Sequence, residues 1–336
     1  MTNAPSPNRR DVLVATTALA GLAATSVGRA AAQSQTRPDL SGKSVLITGS
    51  SSGFGRLSSI YLAEAGATVI ASMRNLDGGN RPEAKALKAE AEEKDLDLHI
   101  VQIDVTDEGQ VAEGVMQAEE IAGGALDVVL SNAGIGISGP VELHDPDQAL
   151  KQIDTNTLGG LRMARAALPK MRERGQGLIM PVSSQLGRLV LPNIGMYCTS
   201  KFALEAMFEA MAYELAPTGV EITLIQPGGY PTEIWENGSR YLNQLLAQAD
   251  DAREEAYAAH LQMSRGFSSN PRTTDPMDVP RAVAEIIAMA PGDRPLRRPV
   301  HPDTRATDAL NSAHAQVQAS LMSSGPYKAW HDAVTS

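Results

Sequence analysis

Hydrophobic residues in the middle of the chain gather in short runs, and each run ends at Gly, Pro, Ser, Asn or Asp. Between the runs lie longer segments in which apolar residues recur every three or four positions, a spacing that predicts helices. Strands that alternate with helices in this way predict an α/β fold with a parallel, doubly wound sheet flanked by helices. The short runs predict strands over residues 44–47, 68–72, 98–103, 126–130, 178–182 and 220–225, and the longer segments include predicted helices over 83–94, 111–121, 147–174 and 196–215.

The last third of the chain shows a different pattern. Residues 232–263 predict helical excursions, followed by a helix over 278–289, a last strand over 294–300 and a terminal helix over 304–322. We therefore expect one α/β domain, with a helical excursion at about 232–275 and a C-terminal helical extension over 301–336. The aromatic residues of the excursion fit a pocket lining and simple packing equally well: Trp235, Tyr241 and Tyr257.

The first thirty-odd residues do not follow the α/β pattern. Arg9 and Arg10 precede an uncharged run over 12–28, and Arg29 and a small-residue segment over 30–33 follow. This resembles a twin-arginine export signal over residues 1–32, which implies the twin-arginine export machinery as a partner and a periplasmic location. An uncleaved membrane anchor is the alternative. The run is short for a span and diluted by Thr, Gly and Ser, which favours the signal.

Composition and charge exclude several kinds of partner. The net charge of −10 argues against nucleic acid and against anionic membrane surfaces. Cys198 is the only cysteine of the sequence, so no intrachain disulfide is possible. The six histidines are scattered and give no metal-ligand spacing, so we expect no metal.

A glycine-rich segment follows the first predicted strand. Thr48-Gly49-Ser50-Ser51-Ser52-Gly53-Phe54-Gly55 leads into a helical pattern, and the second predicted strand comes after it. Glycines let the backbone approach a pyrophosphate, and the helix N-terminus offers N–H donors to it. This strand–loop–helix–strand context favours a dinucleotide site over a plain turn.

A tyrosine and a lysine lie four residues apart on a predicted helix. Tyr197 and Lys201 therefore share one helix face. We expect the ammonium to lower the pKa of the phenol, so that Tyr197 could exchange a proton with an alcohol or an alkoxide. A surface tyrosine beside a solvated lysine is the alternative. The other unusual residues fall at strand ends, where ligands of such sheets bind, so we expect them to converge on one cleft.

Together these motifs resemble the short-chain dehydrogenase/reductase family, which implies a Rossmann-like domain over residues 41–300 with a substrate loop at about 232–275. The glycine segment has its T-G-x-x-x-G-x-G spacing, Asn132-Ala133-Gly134 matches its N-A-G segment, and Tyr197 and Lys201 match its Y-x-x-x-K. Residues 197–205 also resemble the steroid- and retinoid-handling subgroup. The resemblance implies a catalytic serine thirteen residues before the tyrosine, which is Ser184, and a catalytic asparagine, which is Asn156.

The resemblance implies hydride transfer between a nicotinamide and a carbon that bears a hydroxyl or carbonyl group. Tyr197 would be the general acid or base, and Lys201 would lower its pKa and hold the ribose. Ser184 would stabilise the reacting oxygen, and Asn156 would hold a water that links Lys201 to solvent. The implied enzyme interconverts a secondary alcohol and a ketone, or an aldehyde. A catalytically silent nucleotide-binding regulator is the alternative.

The cofactor would lie along the strand ends. Met73, eighteen residues after Gly55, follows the second predicted strand and cannot bind a ribose hydroxyl as Asp or Glu does, whereas the next residue, Arg74, can pair with a 2′-phosphate. NADP(H) is therefore expected in preference to NAD(H), which stays possible. The resemblance implies the following cofactor-binding set: Gly49, Ser51, Ser52, Gly53, Phe54, Gly55, Arg74, Asp104, Val105, Asn132, Ala133, Gly134, Tyr197, Lys201, Pro227, Gly228 and Thr232.

Members of this family usually pair two helices across a two-fold axis, which implies a homodimer or homotetramer here. The corresponding segments are 147–174 and 196–215. Each carries an apolar stripe that could form such an interface or lie inside the monomer: Leu158, Leu161 and Ala164 on the first, and Leu204, Met207 and Met211 on the second.

Overall fold

The strands form a parallel, twisted sheet. The computed structural model describes residues 37–247, 249–269 and 273–335, so the predicted export signal over 1–32 lies outside the described residues. Six strands pair in the order β3-β2-β1-β4-β5-β6, and β7 pairs with β8. Their bounds are β1 Ser44–Ile47, β2 Thr68–Met73, β3 Leu98–Gln102, β4 Val128–Ser131, β5 Gly177–Pro181, β6 Val220–Ile222, β7 Leu224–Pro227 and β8 Arg297–Val300.

One predicted strand is two strands in the structure. The single run predicted over 220–225 is divided at Thr223 into β6 and β7. The Thr223 N–H bonds to Ile179 O of β5, whereas the Leu224 N–H bonds to Leu296 O beside β8. The chain therefore passes from pairing with β5 to pairing with β8. Hydrophobicity alone does not show this change of partner.

Helices cover both faces of the sheet. The predicted helix over 147–174 is interrupted by a π-helical turn, Asp154–Leu158, and the predicted C-terminal helical extension has a second helix, Lys328–Thr335, after the one predicted over 304–322. The bounds are α1 Gly53–Ala63, α2 Pro82–Glu93, α3 Glu108–Ile121, α4 Pro146–Ile153, α5 Gly159–Arg174, α6 Gly195–Leu215, α7 Ile234–Leu246, α8 Asp251–Ala256, α9 Ala258–Ser269, α10 Asp278–Ala288, α11 Arg305–Met322 and α12 Lys328–Thr335. In the described part of the chain, each helix is too short or too polar to cross a membrane.

The core has one layer on each side of the sheet, because successive residues of a strand point to opposite faces. In β1, Leu46 packs with residues of α3, α5 and α6, while Val45 and Ile47 pack with residues of α1 and α10. Strands buried on both faces read as continuous hydrophobic runs, as they do in this sequence. The predicted doubly wound Rossmann-like fold is confirmed.

The predicted dimer stripes are only partly available at the surface. Ala164 and Leu204 are buried in the monomer core, as the alternative of a stripe inside the monomer has it. Met207 and Met211 are half-buried against the same core, and Leu158 is exposed. The stripes mix core and surface positions because α5 and α6 each turn one side towards the sheet.

Helices α7 to α9 form the predicted excursion and pack on the loops after β4. Leu245 and Leu261 belong to a small apolar cluster there, together with Tyr241. Tyr241 both packs in this cluster and lines the cavity described below. Tyr257 donates a hydrogen bond to Glu142 at 2.8 Å. The side chain of Trp235 lies outside the described part.

Candidate active site

A cavity of about 1250 Å³ lies at the carboxyl ends of the strands, where this type of sheet binds ligands. The structure brings nearly all predicted site residues to this cavity; Gly55 and Asn156 lie behind its wall and do not line it. The predicted residues that line it are Gly49, Ser51, Ser52, Gly53, Phe54, Arg74, Asp104, Val105, Asn132, Ala133, Gly134, Ser184, Tyr197, Lys201, Pro227, Gly228 and Thr232.

The glycine loop fits the pyrophosphate of a dinucleotide. Gly49 has φ of 71°, a conformation that glycine adopts without strain. A Cβ on Gly55 would stand 2.3 Å from Gly49 O, so only glycine allows the loop to fold back over the start of α1. The result is a backbone cradle at a helix N-terminus, which is a favourable place for an anion.

The segment after β4 is tied to the glycine loop. Thr48 Oγ1 accepts hydrogen bonds from Asn132 N and Ala133 N, both at 3.0 Å. Asn132 Nδ2 donates to Thr48 O at 2.8 Å. These bonds join the end of β1 to the end of β4. The glycine loop and the segment after β4, which form two walls of the cavity, are therefore held at a fixed distance from each other.

Asn156 positions the loop after β4 from its place in the π-helical turn. Its Oδ1 accepts from Ile135 N at 2.8 Å, and its Nδ2 donates to Ile135 O at 2.9 Å and to Ser200 Oγ at 3.0 Å. A Cβ on Gly134 would lie 3.2 Å from Asn156 Oδ1 and 3.7 Å from Lys201 Nζ, so the three residues are neighbours. The predicted role of Asn156 in holding a water stays a prediction.

Lys201 is a buried cation on α6, only 4% exposed. Its Nζ donates to Val182 O at 2.7 Å and lies 5.8 Å from the centroid of the Tyr197 ring. Burial lowers the pKa of Lys201 to about 8, and the carboxylate of Glu205 opposes that change. Lys201 therefore still carries its proton at neutral pH, but its pKa lies much closer to neutral pH than that of a solvated lysine does.

Tyr197 and Ser184 meet inside the cavity. Burial raises the pKa of Tyr197 to about 12, and a hydrogen bond with the Ser184 side chain opposes the rise. The expectation that the pKa of Tyr197 lies below its ordinary value was wrong for the structure described, because loss of hydration on burial outweighs the opposing hydrogen bond. Ser184 Oγ also accepts from Leu186 N at 3.0 Å and donates to Pro227 O at 3.4 Å.

Two arginines, one directly after β2 and one directly before α2, lie beside the half of the cavity that contains the glycine loop. Met73 is buried, and Arg74 is exposed and lines the cavity. Arg81, at the start of α2, also lines it, donating to Arg74 O at 2.5 Å and pairing with Glu83 at 3.1 Å. Arg81 was not among the predicted site residues, although its place two residues before the predicted helix over 83–94 was an available signal.

The other half of the cavity has an apolar wall that the sequence analysis also missed. It follows Ser184 along the chain and continues onto α7. Val190 and Leu191 stand at its rim and are 69% and 43% exposed. The apolar side chains of this wall are Leu186, Leu189, Val190, Leu191, Ile194 and Ile234.

These residues fit a nicotinamide dinucleotide. The cradle that a Cβ would fill at Gly55 suits a pyrophosphate, and the buried ammonium of Lys201 can donate to ribose hydroxyls. The described ranges contain no group of His, Cys, Asp or Glu side chains placed to hold a metal ion.

The known proteins to which this chain is similar are dehydrogenases and reductases. A family model described as short chain dehydrogenase matches residues 43–242. A 3-ketodihydrosphingosine reductase of Bacteroides thetaiotaomicron is 34% identical over 62% of this chain and 70% of its own length. Human 17-beta-hydroxysteroid dehydrogenase type 1 is 35% identical over 68% of this chain and 70% of its length. A short chain dehydrogenase/reductase from Burkholderia phymatum, solved in complex with NAD, is 25% identical with a TM-score of 0.67, covering 83% of this chain and 96% of that one.

Proposed function

The chain belongs to the short-chain dehydrogenase/reductase family, and from that premise we propose that it is an NADP(H)-dependent oxidoreductase that interconverts an apolar secondary alcohol and its ketone, or an aldehyde. The observation that carries this proposal is one cavity that holds Tyr197, Ser184 and Lys201 next to a glycine cradle. The family itself establishes a nicotinamide-dependent oxidoreductase. The acid–base role of Tyr197, the preference for NADP(H) and the substrate class are our inferences.

Each side chain would have one task in carbonyl reduction. The bound nicotinamide supplies the hydride. The high pKa of Tyr197 keeps its phenol protonated at neutral pH, so it can donate that proton to the oxygen of the new alcohol. The Ser184 hydroxyl is already directed to Tyr197 and would bond the same oxygen. Lys201 would bond the ribose and stabilise the phenolate that remains.

The apolar wall supports a lipophilic substrate. Leu189, Val190 and Leu191 follow the catalytic serine and would be covered by the substrate when it binds. Burying such surface is favourable by roughly 25 cal/mol per Å². Relatives named for 3-ketodihydrosphingosine and for a hydroxysteroid agree with this class. A polar polyol would leave these side chains without an apolar partner.

The preference for NADP(H) rests on the end of β2. Arg74 and Arg81 both border the nucleotide half of the cavity, and Met73 replaces the acidic residue that binds a ribose hydroxyl in NAD enzymes. Arg81 is partly engaged by Glu83, so Arg74 would be the main partner of a 2′-phosphate. A guanidinium suits such a group because it can form charge-assisted hydrogen bonds.

The proposal is tested by turnover of purified protein on a panel of ketones and alcohols that ranges from apolar to polar. Tyr197→Phe should lower kcat by about 10²- to 10⁴-fold, the usual contribution of a general acid, while NADPH affinity stays within a few-fold. Tyr327→Phe, at an exposed position outside the cavity lining, is the matched control. NADPH binding without turnover of any substrate would favour a catalytically silent regulator, and an unchanged kcat in Tyr197→Phe would refute the role of Tyr197.

A further inference from the structure

Helix α6 carries three buried ionisable side chains in one line. Lys201, Glu205 and Glu209 follow each other at intervals of four residues, so they lie on the same helix face. All three are buried, and the side chain of Glu205 is only 2% exposed. The proposed mechanism uses Lys201 alone. Two buried carboxylates on the continuation of the same face call for a separate explanation, since buried charges are expensive unless they are paired.

Arg297 of β8 pairs with both carboxylates. Its Nε lies 2.8 Å from Glu205 Oε2, and its Nη2 lies 2.6 Å from Glu209 Oε2. Gln226 of β7 donates to the remaining oxygen of Glu205 at 2.9 Å. Side chains from two strands, β7 and β8, thus fix the orientation of the Glu205 carboxylate. Glu205 lies one helical turn after Lys201 on α6.

Helix α11 of the C-terminal extension completes this network. Asn311 Nδ2 donates to Gln226 Oε1 at 2.7 Å, and His314 Nε2 lies 2.9 Å from both oxygens of Glu209. Gln226 directly precedes Pro227, whose carbonyl oxygen accepts from the Ser184 hydroxyl. The α11 side chains therefore reach both α6 and the cavity wall at the end of β7, from outside the segment that the family model matches.

We propose that Glu205 is a positioning residue for the charged form of Lys201, and that α11 holds Glu205 in place through Asn311, His314 and the Arg297 pair. This inference rests on the proposed role of Lys201. It assigns a task in the active site to the C-terminal extension, which the catalytic motifs do not include.

The physical argument concerns the proton of Lys201. Burial favours the neutral amine, and the Glu205 carboxylate one turn away favours the ammonium. The remaining charged groups lie around Glu205 itself: Arg297 pairs with it, Glu209 shares that arginine, His314 contacts Glu209, and the half-buried Arg188 faces both carboxylates. Tyr197 is neutral on the other side. Loss of the Glu205 charge would therefore leave burial unopposed, and Lys201 would lose its proton at lower pH.

The direct test is the reactivity of the Lys201 amine towards acetic anhydride as a function of pH, followed by mass spectrometry of the peptide that contains Lys201. Only the neutral amine reacts, so the midpoint of the profile reports the protonation of Lys201 without any need for turnover. We expect Glu205→Gln to lower this midpoint by at least about half a pH unit, roughly a threefold change in proton affinity. An unchanged midpoint in folded protein refutes the role of Glu205.

A second variant covers the case in which Glu205→Gln does not fold. Glu205→Met replaces the carboxylate by an apolar side chain of similar length, and Arg297 keeps Glu209 as its partner, so neither of these buried charges is left unpaired. The midpoint should again fall, because the Glu205 carboxylate is the charge that opposes the burial of Lys201. The same midpoint as in the wild type refutes the proposal here also.

The contribution of α11 has its own variant and control. Asn311→Leu with His314→Leu removes both contacts of the helix and should lower the Lys201 midpoint in the same direction by a smaller amount. Gln316→Ala changes an exposed neighbour on α11 and should leave it unchanged. A wild-type midpoint in the double variant refutes the part assigned to α11. Where turnover is detected, the alkaline limb of kcat/KM for carbonyl reduction should move with the labelling midpoint in every variant.

Discussion

Replacement of the buried lysine should make the protein more stable while it destroys the site. Lys201→Met keeps a side chain of similar length and removes an ammonium that is 4% exposed. The folded protein lowers the pKa of this group from 10.5 to about 8, which means that folding disfavours the charged form that Lys201 holds at pH 7. Activity should disappear with the loss of the ribose and phenolate contacts.

The magnitude follows from the pKa change. At roughly 1.36 kcal/mol per pKa unit, burying the charged lysine lowers the free energy of unfolding by about 3 kcal/mol at pH 7. The lost hydrogen bond from Nζ to Val182 O offsets roughly 1–1.5 kcal/mol of the gain. We therefore expect Lys201→Met to be more stable than the wild type by about 2 kcal/mol at pH 7.

The pH dependence of that difference gives the sharper test. Between pH 8 and 10.5 the unfolded chain binds more protons at this lysine than the folded chain, so the wild type gains stability relative to the variant as pH rises. The penalty is complete below pH 8 and absent above 10.5. By pH 10 the difference between the two proteins should have changed by about 2.5 kcal/mol in favour of the wild type.

Urea unfolding of the wild type and Lys201→Met at pH 7, 8.5 and 10 gives the free energy of unfolding of each protein. The other titrating groups are common to both proteins, so their contributions cancel when one free energy is subtracted from the other. Lys88→Met removes an ammonium from an exposed position and is the control, with stability expected to stay within about 0.5 kcal/mol of the wild type at pH 7. A pH-independent difference for Lys201→Met would show that this lysine is not held in the low-pKa state described.

Cofactor preference, oligomeric state and export can each be measured directly. NADPH should bind about ten- to a hundredfold tighter than NADH, from ~1.5–3 kcal/mol of charge-assisted bonding, and Met73→Asp with Arg74→Ala should reverse the order; equal affinities in the wild type would contradict this. Light scattering at micromolar concentration should give the mass of a dimer or tetramer, and a monomer mass would refute the oligomer. Arg9→Lys with Arg10→Lys should hold the precursor in the cytoplasm, whereas export of the mutant would exclude the twin-arginine route. Mature periplasmic protein should carry bound nucleotide, because a folded dinucleotide site crosses intact by that route.

The half of the site that contains the glycine loop could be predicted from the sequence, because the residues that shape it are close together along the chain. Gly49 and Gly55 are separated by a few residues, and the close approach of their backbones needs glycine whatever surrounds them. The strands were readable for a similar reason, since a strand buried on both faces is continuously hydrophobic. The break between β6 and β7 could not be predicted, because it depends on which neighbouring strand accepts the hydrogen bond of each backbone N–H.

Properties set by distant residues escaped the sequence analysis. The Tyr197–Lys201 spacing indicated that the two groups are close, but it could not show how much water each loses on folding, and the direction of the Tyr197 pKa was predicted wrongly for that reason. The pairing of Glu205 with Arg297 joins residues that are 92 positions apart. The apolar wall is likewise formed only when the segment after β5 meets α7.

The pKa values of Tyr197 and Lys201 move apart on folding, and this defines the pH range in which the proposed reduction would work. Tyr197 must hold a proton and Lys201 must be charged, a combination that the structure allows up to about pH 8. The upper limit is set by Lys201, whose pKa is lowered from its ordinary value of 10.5 by burial. A carboxylate placed one helical turn away raises that limit without entering the cavity. Because this carboxylate is bonded by side chains of β7 and β8, and α11 contacts their neighbours Gln226 and Glu209, we expect the protonation of Lys201 to depend on packing at the far end of the chain.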